Sequence, residues 1–122
     1  MSVAKAFNNV LIDFMDDCIL VFPEENDFKQ FKRGAQFLKK FNPKKIPTIF
    51  KGYVKIYRAQ IDNREESFFL ENEYDDLDEV KDDNELIDMI AKIKKYWVGM
   101  STENKDKIWK YLEVLVKLSD NI

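Results

Sequence analysis

Histidine is absent from this 122-residue chain, cysteine occurs once, and glycine and proline occur three times each. Without histidine, the commonest general base near neutral pH and the commonest metal ligand are both missing. No Ser/His/Asp or Cys/His set can be assembled, and no glycine-rich phosphate loop is present. Cys18 has no partner for an intrachain disulfide, which points to a reducing compartment, cytosolic or nuclear. So little Gly and Pro leaves few of the tight turns that a β-rich domain needs and favours long helices. No window approaches the roughly 18 uninterrupted apolar residues of a membrane span. The opening MSVAKAFNNV is broken by Asn8 and Asn9 and does not resemble a signal peptide.

What the chain does have is bulk and segregated charge. Apolar residues make up 45%, including ten Phe, five Tyr and two Trp, enough for one core and therefore one domain over residues 1–122. The net charge is only −3, yet residues 28–61 carry ten Lys or Arg and no acid. Residues 62–88 then carry thirteen acids against Arg64 and Lys81. A block of each sign inside a nearly neutral chain suggests surfaces meant for one another or for a partner.

Hydrophobic periodicity predicts an all-α fold of four to five antiparallel amphipathic helices in one bundle, with an acidic loop after the third. In the first helix Val3, Phe7, Val10, Leu11, Phe14, Cys18 and Val21 recur every three or four residues, and Pro23 ends it. Asn26 or Asp27 can cap a second helix over 28–41. On its wheel Phe28, Phe31, Ala35, Phe37, Leu38 and Phe41 fill one half, and Lys29, Lys32, Arg33, Gln36, Lys39 and Lys40 the other. Asn42 and Pro43 read as cap and first residue of a third helix ending near Ile61, with Ile46, Phe50, Tyr53, Val54, Tyr57 and Ile61 inward. The short connection predicts that the second and third helices pair as a hairpin. Residues 62–84 read as an acidic insert in which Phe68, Phe69 and Leu70 anchor to the core. A fourth helix starts near Asn84 with Leu86, Ile87, Ile90, Ile93, Lys94 and Trp97 on its inward strip, Lys94 being the exception, and Gly99 stops it. Ser101 caps a last helix over 102–119, with Ile108, Trp109, Leu112, Leu115 and Val116 inward.

Two phrases stand out, Gln60-Ile61-Asp62-Asn63-Arg64-Glu65-Glu66-Ser67-Phe68-Phe69-Leu70 and Ile108-Trp109-Lys110-Tyr111-Leu112-Glu113-Val114-Leu115. Together they resemble a group of small, uncharacterised helical proteins of large DNA viruses of algae and amoebae, in which an ESFFL segment precedes an IWKYL helix. The resemblance covers the C-terminal two-thirds of the chain. It implies a viral protein acting in the host cytoplasm or nucleus, or in the virion, and carries no activity with it.

The candidate site is the basic face: Lys29, Lys32, Arg33, Lys39 and Lys40 on the second helix, with Lys51, Lys55 and Arg58 on the third. These cations suit an acidic protein partner, which they would steer and orient. The same surface could instead meet nucleic-acid phosphates, although the sequence places its aromatics in the core and the pI of about 5.1 is low for that role. A structural virion component is a further alternative. Tyr111, flanking the buried strip of the last helix, is an additional partner candidate whose hydroxyl can bridge core and solvent. Asp75, Asp76, Asp78, Glu79, Asp82 and Asp83 offer hard oxygen ligands, but the EF-hand pattern fails for want of its glycine. The acidic run is also able to fold over the basic helices and mask them. No catalytic residue, metal or cofactor is expected, and the function expected is that of a non-enzymatic adaptor or regulatory module.

Overall fold

The chain folds as an all-α bundle in a computed structural model that describes residues 2–70 and 84–122. Among the described residues there are six helices: α1 Val3–Val21, α2 Asn26–Phe41, α3 Lys45–Asp62, α4 Ser67–Leu70, α5 Asn84–Trp97 and α6 Thr102–Ser119. The periodicity of the sequence accounts for five of them. The sixth, α4, is the single turn in which Phe68 and Phe69 reach the core.

α1 is the central element, packed against α2, α3 and α6. Its first turn is capped by Ser2, whose Oγ accepts the Lys5 N–H at 3.1 Å. Phe7, Leu11, Phe14, Met15 and Cys18 are buried along one side. Val21, expected inward, is instead exposed, because the chain leaves the helix at Phe22 and that ring closes the end of the bundle. Phe22 stacks on Tyr96 of α5 at 4.4 Å and tilts against Phe28 of α2 at 6.1 Å.

The expected pairing of α2 with α3 is a minor contact. α2 packs mainly on α1 and α3 mainly on α6. The connection is also not a cap followed by a helical proline: α3 begins at Lys45, two residues after Pro43. The reason is tertiary. Asn8 is fully buried in α1, and its Nδ2 donates to the carbonyls of Ala4 at 2.9 Å and Pro43 at 2.8 Å. A buried amide has to find acceptors, and the Pro43 carbonyl is held in a turn to supply one. Pro47 lies in the first turn of α3, where its missing N–H costs nothing.

Ser101 caps α6 as the sequence indicates, its Oγ accepting from the Asn104 N–H at 3.1 Å. α5 ends at Trp97, and the Met100 N–H donates to the Trp97 carbonyl across the turn. No described glycine has a positive φ, so Gly99 does not stop the helix by a left-handed conformation.

The densest part of the core is aromatic. Phe69 stacks on Trp97 with ring centres 3.9 Å apart, and Trp109 stands edge-on to both, at 5.0 and 5.6 Å. Phe68 is edge-on to Tyr53 and Tyr57 of α3 at 5.9 and 5.5 Å. Pairs of this geometry add about 0.5–1.5 kcal/mol each beyond the area they bury. Lys94, the one cation in the inward strip of α5, keeps its ammonium over the Phe68 ring at 5.2 Å.

Candidate partner-binding surface

The nine residues singled out in the sequence meet different neighbours. On α2, Lys32, Lys39 and Lys40 border α1, and on α3, Lys51 and Arg58 reach residues 120–122 after α6. Lys32 reaches across to Asp16 of α1 in an ion pair. Lys39 lies half-buried in an open groove between α1 and α2, beside Asn9, Asp13, Gln36 and Lys40. Lys51 Nζ donates to the Ile122 carbonyl at 2.9 Å. Arg58 holds Asp120 at 2.9 Å and Asp62 at 3.1 Å, and both carboxylates favour its charged form. Lys32, Lys51 and Arg58 are thus engaged within the protein. Lys29, Arg33, Lys39, Lys40 and Lys55 make no ion pair among the described residues.

Tyr111 is also engaged. Its ring stacks on Phe14 at 4.8 Å, and its hydroxyl donates to the Asp17 carboxylate. Burial, then the hydrogen bond and negative charge of Asp17 and the charge of Asp13, push the phenol well above its ordinary pKa. The residue bridges core and solvent as expected, but the solvent end is occupied by the protein's own carboxylate.

What the sequence missed lies on the outer side of α2. Phe37 and Phe41, assigned to the core half of the wheel, are 60% and 64% exposed. The apolar side chains do share one half of the wheel, but the seat is narrower than that half. Phe28, Phe31, Ala35 and Leu38 span an arc of about 80° at about 100° per residue; α1 and α5 seat that arc, and α1 also borders Lys32 and Lys39 beside it. Phe37 and Phe41 fall outside it. The two rings lean on each other with centres 4.6 Å apart, and the Lys40 ammonium sits 5.5 Å from the Phe41 ring centre. Positions 29, 33, 37 and 41 form one row along the helix, so Lys29, Arg33, Phe37 and Phe41 share a face, with Lys40 alongside.

A second feature that the charge pattern does not signal is Arg64, which by sequence falls within the acidic insert. It has a φ of 50°, unusual for a residue with a side chain. Its guanidinium donates to Glu113 at 2.7 and 3.2 Å and to Asp106 at 2.8 Å. With Lys105 on Glu66 at 3.2 Å, it straps the turn before α4 onto α6. Residues 62–70 therefore belong to the folded body, with Leu70 alone of the apolar trio exposed. The remainder of the acidic run, including the carboxylates considered as cation ligands and as a mask for the basic helices, lies outside the described residues. Ile87, expected inward on α5, has its side chain outside them as well.

Two further groups define what the arrangement can do chemically. Cys18 is buried, and burial followed by the charge of Asp17 pushes its thiol up to about 12, so it holds its proton at neutral pH. Among the described residues no group of three His, Cys, Asp or Glu is placed to hold a metal ion, and no helix is long and apolar enough to cross a membrane. No protein-family model matches the chain, and no curated protein and no solved structure matches it either.

Proposed function

We propose that this protein is a non-enzymatic adaptor that binds a protein partner of acidic character through the outward face of α2. The observation that carries the reading is the set of exposed cations left without an ion pair among the described residues, Lys29, Arg33 and Lys40, on the same helix face as Phe37 and Phe41. Solvated cations of this kind give association rate and orientation more than affinity, and the exposed rings supply the apolar contact that affinity requires. Lys51 and Arg58 leave the proposed contact, being committed to Ile122, Asp62 and Asp120.

The viral origin belongs to the same proposal. Its support is the resemblance of the ESFFL and IWKYL phrases, whose side chains meet in the core: Phe69 and Trp109 are 5.0 Å apart and Phe68 and Trp109 6.5 Å. Those phrases describe a shared core rather than a shared site. On this reading the adaptor works in the host cytoplasm or nucleus.

A nucleic-acid reading of the same face is favoured by the exposed Phe rings beside Arg33 and Lys40, since aromatic and basic side chains together hold single strands. Binding of labelled poly-glutamate and of a labelled oligothymidylate, each at about 50 and 200 mM salt, separates the two. Poly-glutamate binding that weakens with salt and is lost in Lys29→Glu/Arg33→Glu, but kept in Lys55→Glu, is the expected result. Preferential binding of the oligothymidylate would transfer the face to nucleic acid.

A further inference from the structure

Deepening the adaptor reading, and resting on it, we infer that Phe37 and Phe41 anchor the partner, which is an acidic peptide segment presenting two apolar side chains about one helical turn apart. Lys29, Arg33, Phe37 and Phe41 follow one another at four-residue steps, so the row extends about 18 Å at about 1.5 Å per residue. Its N-terminal half is cationic and its C-terminal half aromatic, with Lys40 beside the rings. A complementary segment therefore carries carboxylates toward the start of α2 and apolar groups toward its end.

Charge complementarity fixes the chemistry of the occupant. Residues 28–61 contain no acid, so nothing on α2 beyond Asp27 offers these cations a carboxylate. Lys32 finds Asp16 and Lys92 of α5 finds Glu25 and Asp27, which shows that cations near this helix pair when a partner is within reach. Lys29, Arg33 and Lys40 have none among the described residues. Two phenylalanines exposed side by side, with Lys40 over one ring and Arg33 one turn before the other, fit the pattern of apolar anchors beside polar groups.

The ring geometry favours a peptide over a base. A stacked base needs an open, flat ring face. Phe37 and Phe41 are tilted by 41° and lean on one another, and the Lys40 ammonium lies over Phe41. The exposed, tilted pair offers a bulky apolar contact that fits between the side chains of an amphipathic segment.

Selection of a displayed random-peptide library on the immobilised full-length protein tests the inference. The comparators are Phe37→Ser/Phe41→Ser and Lys29→Glu/Arg33→Glu/Lys40→Glu, both altering exposed positions and both checked for unchanged helix content. The expected outcome is enrichment of acidic peptides bearing paired apolar residues, with affinity falling about tenfold or more in either variant. Peptides that bind the serine variant as well as the wild type would overturn the anchor while leaving the charged face in place. Peptides indifferent to both variants, or no enrichment, would overturn both readings. Tighter binding of oligothymidylate that the serine variant loses would give the rings to nucleic acid. A wild-type dimer that the serine variant dissociates would give them to a second copy.

Discussion

Asn8, Cys18 and Phe37 are three residues whose roles depend on what happens to stand opposite them. Asn8 reads as a polar interruption in an apolar helix, yet its amide fixes the α2–α3 turn through the Pro43 carbonyl. Nothing local in the sequence signals this, because the two residues are thirty-five positions apart. Cys18 was legible as a small buried residue from its place on the apolar strip. Its burial and the high thiol pKa of about 12 predict that iodoacetamide labels the folded protein far more slowly than the urea-unfolded chain. Equal rates in mass spectrometry would contradict the buried placement. Phe37 marks the limit of wheel reasoning, since a wheel gives the apolar arc but not how much of it the neighbours cover.

Among the elements, α4 does the most with the least sequence. Four residues place Phe69 between Trp97 and Trp109 and Phe68 against Tyr53 and Tyr57, tying α3, α5 and α6 together. Phe69→Ala is expected to cost about 3–5 kcal/mol, a large share of the roughly 5–15 kcal/mol of an ordinary domain. Urea unfolding followed by tryptophan fluorescence measures it, and a loss below about 1 kcal/mol would mean that α4 is peripheral. By contrast, Ser101→Ala removes a cap at an exposed helix start and should cost about 1 kcal/mol in the same assay. The cap was readable from Ser101 alone. The plug was readable only as an apolar cluster within acidic sequence, because its depth depends on where α5 and α6 leave a gap.

On the scale of the molecule, the described cations of the basic block do not pair with any single acidic element. Cations of the basic block spread over different neighbours, to Asp16, to Asp62 and Asp120, and to the Ile122 carbonyl. The acidic stretch contributes a cation of its own, Arg64, that clasps α6. Arg64 holds the Glu113 carboxyl below the usual carboxylate range, and Lys110 followed by Arg64 does the same for Asp106. A carboxyl depressed in the folded state adds stability above its unfolded pKa and loses it as pH falls through the folded value. The stabilising effect of Arg64 is therefore present at neutral pH and fades as pH drops from about 4 downward. Denaturation midpoints of wild type and Arg64→Ala should differ at neutral pH and converge in acid. A gap independent of pH would show that the left-handed backbone at residue 64, not its charge, sets the difference.

The sequence by itself determined the all-α class, five of the helices, the cap at Ser101, the inward strip of α6, the buried Phe7, Leu11, Phe14 and Cys18 of α1 and the presence of an unusual basic stretch. These follow from local rules, namely 3.6-residue periodicity, capping chemistry and the scarcity of Gly and Pro. Tertiary structure decided which helices are neighbours, which cations find no ion pair among the described residues, and that Phe37 and Phe41 face outward. Each of those depends on the width of a contact or the distance between remote side chains, and no local pattern encodes either quantity.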